Sequence, residues 1–347
     1  MNRLRVILVT LAAVAGLAAL AGAAVVFLGL YNTSAKSGHW AITRWALHTT
    51  FKNAVELRAP PAEKVPEDLE DPALIELGAR HYDSACRMCH ASPGEVADAT
   101  IAAMVPRPPQ IEEATANWQP AEMHWIVEQG VKMSGMPAWP AEGRGDEVWA
   151  VVAFLSAVKR GLGPDGYAAL TAPAPRGYCA GCHGSQGTSR APRLDILSPE
   201  YIATALQAYR SGARPSGIMS QAISQVDPAA DARLAAELSD LPPAPGGDSG
   251  QAPAVDAEAI ARSGAADIPA CLSCHGPRNR NPRIPTLDGQ RRAYLEQQLF
   301  LWRNGQRGGG ERAALMHAAA QSLSDLQIRA LAAYFAGRDA PKPAVIE

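Results

Sequence analysis

Cys86-Arg-Met-Cys89-His90, Cys179-Ala-Gly-Cys182-His183 and Cys271-Leu-Ser-Cys274-His275 contain all six cysteines of the 347-residue chain. Two thiols separated by two residues, with an imidazole directly after the second, can add to the two vinyl groups of a porphyrin while the histidine ligates its iron. No thiol is left for a disulfide, a nucleophile or a thiolate ligand. A structural zinc site takes four ligands, usually from two such pairs, and a redox dithiol belongs beside a βαβ pattern. Neither suits three separate motifs at domain spacing. The spacing therefore predicts three covalently bound haem c groups, held by Cys86, Cys89, Cys179, Cys182, Cys271 and Cys274, with His90, His183 and His275 ligating iron.

Each iron then needs a sixth ligand or keeps an open site. In Val131-Lys-Met133-Ser-Gly-Met136-Pro137 two thioethers are available. Met136 is the better candidate, because Gly135 and Pro137 would shape a loop that aims it; Met133 and Met104 are alternatives. Met219 and Met316 occupy comparable loops after the second and third motifs. His317 adjoins Met316 and is its rival, while His81 and His124 are weaker candidates in the first domain. His/Met ligation fills all six iron positions, so such a centre exchanges electrons without binding substrate, and methionine raises its reduction potential.

These residues must be positioned by helices, since Ala, Gly and Pro abound and β-branched runs are few. Leu74, Leu77, Gly78 and Tyr82 recur at helical spacing, which predicts a helix over residues 73–82 with Gly78 open to close approach. An acidic start and an aromatic face predict a partner helix over 146–155. Trp118, Trp125, Trp139 and Trp149 would wall the first porphyrin.

Downstream the chain repeats. Pro192-Arg-Leu194-Asp195 matches Pro285-Thr-Leu287-Asp288, and Tyr201, Leu206, Tyr209, Arg210, Gly212 and Arg214 match Tyr294, Leu299, Trp302, Arg303, Gly305 and Arg307, all at an offset of 93 residues. In each copy an amphipathic helix ends at a C-capping glycine, Gly212 or Gly305. Arg214 and Arg307 follow, placed to pair with a haem propionate. Each copy closes with a short amphipathic segment, at 232–241 and 324–335.

The N-terminal 1–31 carries no charge between Val6 and Tyr31, with Arg3 and Arg5 ahead of the run. This exceeds the ~20 residues that span a bilayer, and the arginines favour a cytoplasmic N-terminus. A transmembrane anchor is expected; a signal peptide cleaved near Ala21-Gly-Ala23 is the competing reading. A juxtamembrane segment and linker (32–72) follows, with Trp40 and Trp45 suited to the membrane interface and His39 and His48 structural. Three haem domains come next, 73–160, 161–245 and 263–347, with a linker at 246–262 and each domain its own folding unit. Counting Lys and Arg against Asp and Glu, the domains carry 7 and 11 (net −4), 6 and 7 (net −1), and 11 and 7 (net +4). Such asymmetry can steer different partners to different faces. No dense basic run with aromatic platforms points to nucleic acid.

With its three CxxCH motifs and later methionines, the chain over 73–338 resembles class I c-type cytochrome domains. Residues 176–338 resemble the tandem domains of dihaem members, and the first domain is similar to single-domain members. The resemblance implies an all-α fold, His90, His183 and His275 as proximal ligands, and Met136, Met219 and Met316 as distal ones. Domain two departs from the pattern, since the stretch before Cys179 is rich in proline. The expected protein is a membrane-tethered respiratory cytochrome of the bacterial inner membrane, its haem domains facing the periplasm. It would pass electrons from a quinol-oxidising complex or dehydrogenase to a terminal oxidase. Alternatives are the cytochrome subunit of a membrane-bound dehydrogenase and a haem enzyme with one open or switchable iron.

Overall fold

The computed structural model describes residues 3–132, 134–184, 187–244, 253–278 and 281–340. Met133, residue 245 and residues 246–252 of the expected linker lie outside the described residues. Within them the fold is all-α, and the one β interaction is an isolated bridge between Ala265 and Ile268.

Helix α1 (Arg3–Phe27) is 25 residues long, strongly apolar along its length, and buries nothing against the rest of the chain. It is long and apolar enough to cross a membrane. Helix α2 (Ala41–Arg58) leans on the first domain at its C-terminal half, where Val55 is fully buried and Phe51 meets Trp118 edge-on at 5.6 Å. Its N-terminal half leaves Trp40, Ile42 and Trp45 exposed.

The first domain is built on α3 (Pro72–Ala85), the haem-motif turn α4 (Arg87–His90), three short helices α5 (Ala99–Ala102), α6 (Ile111–Thr115) and α7 (Pro120–Gln129), then α8 (Gly145–Lys159) and α9 (Pro164–Thr171). Asp71 caps α3 by accepting from the Ala73 amide, and Pro72 takes the first position, where no N–H is needed. Gly78 allows α3 to cross α8 so closely that a Cβ there would lie 1.9 Å from the Ala150 carbonyl oxygen. Helix α8 is buried nearly all round, so its run Val-Val-Ala-Phe-Leu supplies the centre of the core. Tyr82, Val148, Val152 and Phe154 are each at most 1% exposed, and each such side chain contributes about 1.5–3 kcal/mol by leaving water.

Helix α9 corrects the expected domain boundary at residue 160. Its Tyr167 is buried in the first core, 6.2 Å from Tyr82 ring to ring, with Leu162 and Leu170 beside it. Residues of 161–171 thus pack on the first core.

The second domain runs from the motif turn α10 (Ala180–His183) through α11 (Pro199–Arg210), α12 (Gly217–Ser224) and α13 (Asp231–Ser239) around Ile196, Leu206, Ile223 and Leu238. The third starts at α14 (Ala257–Ser263), which packs Ile260 into the third core. Ala257, Ile260 and Ala261, expected in the linker, pack on the third core instead. It continues with the motif turn α15 (Leu272–His275), α16 (Arg292–Arg303), α17 (Ala313–Ala320) and α18 (Asp325–Ala336). Gly212 and Gly305, at φ of 73° and 69°, end α11 and α16 in the left-handed conformation the repeat predicted.

The three cores are joined by polar contacts. Arg190 pairs with Asp68 and Asp71, Thr188 donates to the Ala73 carbonyl, and Arg80 donates to Ala172. Gln290 of domain three exchanges two hydrogen bonds with the Arg193 backbone of domain two, at 2.8 and 3.0 Å. Gln297 and Gln306 reach Asp146 and Gly143 of domain one.

Candidate haem sites

Each CxxCH motif folds into one helical turn. The histidine amide donates to the carbonyl of the first cysteine at 3.0, 3.0 and 2.9 Å in His90, His183 and His275. A turn of 3.6 residues brings the first cysteine, the second cysteine three positions on and the histidine four positions on to one side. That is the arrangement two thioether bonds and one axial nitrogen to a single porphyrin require. None of the six cysteines is in a disulfide. Burial pushes the Cys86 thiol up to about 12 and the Cys182 thiol up to about 11, so as thiols these two are not poised nucleophiles.

The three imidazoles share a second feature. Nδ1 of His90 lies 2.9 Å from the Pro109 carbonyl oxygen, that of His183 2.9 Å from Pro192, and that of His275 2.9 Å from Pro285. A carbonyl only accepts, so Nδ1 carries the proton and the lone pair is on Nε2, the nitrogen a metal would take. Burial lowers the His183 pKa to about 4 and that of His275 below the usual histidine range, which keeps both rings neutral and ligand-competent at pH 7. The role of these three prolines was missed from the sequence, although Pro192 and Pro285 occupy equivalent places in the repeat.

In the second domain the predicted residues come together. A cavity of about 910 Å³ is lined by Cys179, Cys182, His183 and Met219, with Leu194 and Leu206 on its walls. In the third domain Cys271 and Met316 pack on one core. In the first, Cys86 packs on the core, while Met136 is half-buried in a turn closed by a bond from the Val131 amide to its carbonyl. Met104 Cε approaches that turn, within 2.9 Å of where a Gly135 Cβ would stand. Met219 and Met316, expected in loops, are instead on α12 and α17, because Ser216 caps a new helix immediately before Met219 and the chain after Arg312 resumes helical bonding.

The histidines weighed as rival ligands are each packed against the protein. His124 donates from Nε2 to the Gly145 carbonyl at 2.8 Å and stacks on Trp149 at 4.2 Å. His317 donates from Nδ1 to the Trp302 carbonyl at 2.7 Å. His81 is 5% exposed and lies against Trp139.

Between domains two and three lies a cluster built from the repeat itself. Arg214 stacks over Tyr209 at 4.5 Å and Arg307 over Trp302 at 4.8 Å, the same pairing in both copies. Arg214 donates to Tyr294 Oη at 3.1 Å, and both arginines meet Gln298 Oε1. Among the described residues neither forms an ion pair with a carboxylate. Burial, and then the neighbouring Arg214 charge, lower the Arg307 pKa. A buried cation, Arg214, and a half-buried one, Arg307, facing each other without a protein anion suit the carboxylates of a haem propionate edge. The residues present therefore fit haem in turn geometry, imidazole tautomer, cavity and charge.

Small helical domains that each present a CxxCH turn of this geometry define a covalent haem-binding protein. The chain belongs to the cytochrome c family. The family described as cytochrome c oxidase, cbb3-type, subunit III matches residues 73–155. A thiosulfate dehydrogenase electron acceptor of Thiomonas intermedia is 34% identical over 177 residues, 48% of this chain and 81% of that protein. Cytochrome c4 of Stutzerimonas stutzeri is 31% identical over 175 residues, 46% of this chain and 83% of that protein. Among solved structures, a thiosulfate dehydrogenase from Marichromatium purpuratum aligns at 39% identity with a TM-score of 0.41, over 47% of this chain and 36% of that chain. The protein is thus a c-type cytochrome that works in haem-based electron transfer.

Proposed function

We propose that the chain is a membrane-tethered trihaem electron relay, with its haem domains in the periplasm and its anchor in α1. The observation that carries the reading is the threefold recurrence of one cysteine turn with one imidazole tautomer, each locked by a proline carbonyl. When bound, haem supplies a one-electron iron couple. The chain's own residues hold and tune it. His90, His183 and His275 present Nε2; Met136, Met219 and Met316 complete the coordination and exclude water; Arg214 and Arg307 compensate anionic charge at the boundary of domains two and three.

On the acceptor side, the likeness of residues 73–155 to an oxidase subunit family supports delivery of electrons to a terminal oxidase. On the donor side, the relative named as an electron acceptor supports a second reading, in which the chain takes electrons from a dehydrogenase of thiosulfate type. The two are compatible in one relay, with acidic domain one and basic domain three offering different docking faces. Detergent extraction followed by affinity capture of the full chain tests this. Co-purification of an oxidase supports the first reading and of a dehydrogenase the second, whereas a high-spin ferric signal from any haem contradicts a relay with three filled coordination spheres.

A further inference from the structure

The segment that carries Met219 is held from both sides by domain one. Glu147 on α8, 11% exposed, accepts from Ser216 Oγ at 2.6 Å, from the Gly217 amide at 2.6 Å and from the Ile218 amide at 3.3 Å. Arg144 pairs with Glu147 at 2.7 Å and donates to the Pro215 carbonyl. Ser216 Oγ in turn accepts from the Met219 amide at 3.1 Å, so a continuous chain runs from Met219 N–H through the Ser216 hydroxyl to the Glu147 carboxylate. The Trp139 indole packs against Gly217, where a Cβ would come within 2.2 Å of its Nε1. Past the methionine, the Gln221 amide donates to the Ser84 carbonyl at 3.0 Å. Five residues flanking Met219 are thus fixed by a neighbouring domain.

The repeat supplies the comparison. Helix α17, which carries Met316, begins at Arg312 with no side-chain cap, and Leu315 beside the methionine is 69% exposed. A carboxylate at the start of a helix stabilises it through unsatisfied N–H groups and the helix dipole; α12 has that support from another domain, and α17 does not.

We infer that Glu147 is a positioning residue for Met219, so that docking of domain one sets the coordination of the second haem. The inference rests on the reading that Met219 ligates the second haem. It gives domain one a task beyond carrying its own haem: any partner that shifts domain one also shifts the second redox centre.

The test uses the full haem-loaded chain, its methionine–iron absorption band and its three reduction potentials. Glu147→Ala weakens the band by part of one haem's share and lowers one potential, while Glu147→Gln, which keeps an acceptor toward the helix amides, retains most of both. A Glu147→Ala protein with the native band and all three potentials unchanged overturns the inference if Met219→Ala loses one haem's share of the band. Should Met219→Ala leave the band intact, the ligand assignment itself fails and this inference with it. If Glu147→Ala does not accumulate with haem, Ser216→Ala decides: a partial loss of the band supports the inference, and a native band overturns it.

Discussion

Arg291 of domain three is 6% exposed and buckles the loop that follows His183 in domain two. Its guanidinium donates to the carbonyls of Ala191 at 2.8 Å, Gly184 at 3.1 Å and Thr188. The next residue after Ala191 is Pro192, whose carbonyl fixes the His183 tautomer. A hydrogen bond from a charged donor is worth ~1.5–3 kcal/mol net, and three would sum to several kcal/mol. Part of this returns when Arg291→Ala relieves a buried cation, whose pKa burial and Arg193 already lower. The net cost of opening the loop is ~3 kcal/mol, or about 100-fold in local opening at 1.4 kcal/mol per tenfold. Hydrogen exchange of the haem-loaded chain, read on a peptide covering residues 187–197, measures it directly. Protection is expected to fall about 100-fold in Arg291→Ala and less in Arg291→Lys, whose ammonium reaches fewer carbonyls. Protection within threefold of native would refute the buckle.

Other consequences can be checked separately. Met136→Ala should leave the first haem attached and lower its potential, since a thioether raises it; redox titration showing three unchanged potentials would remove Met136 as ligand. Cys89→Ser should impair attachment of one haem only, which intact mass reports. Gly78→Val sets a Cβ against the Ala150 carbonyl, a backbone atom that cannot swing aside. It should cost ~3 kcal/mol or more, and a thermal midpoint equal to native would contradict the α3–α8 crossing. Burial lowers the His81 pKa from 6.5 to about 4, so the unfolded chain binds the proton first. Stability from this group is full above pH 6.5 and falls by up to ~3 kcal/mol as pH drops toward 4. His81→Leu should flatten denaturation midpoints over that window, and an unaltered slope would exclude His81 as the cause.

The chemistry was legible because it depends on local spacing. A CxxCH turn needs only one helical turn, and the 93-residue repeat has a structural counterpart in Arg214 and Arg307, which stack alike over Tyr209 and Trp302. Helices expected over 73–82 and 146–155 proved a little longer at both ends, because Asp71 caps α3 and the apolar run of α8 stays buried to Val158. What periodicity cannot report is which folded surface meets which. The Gly- and Pro-rich stretch after residue 160 read as a join, yet Tyr167 has a place in the first core that only the tertiary fold creates. Glu147 looked like a dipole-favoured acid at a helix start, yet it accepts from three groups 69 to 71 positions away. Likewise, Met219 was expected in a loop, whereas Ser216 caps a helix that carries it.

Everything turns on all three motifs carrying haem in one chain. Intact mass spectrometry of the chain purified from membranes, under denaturing conditions that strip any non-covalent group, measures this directly. The expected mass is that of the polypeptide plus three haems, each held by two thioether bonds. A mass corresponding to two haems, with a cysteine pair left as free thiols, would contradict the trihaem relay.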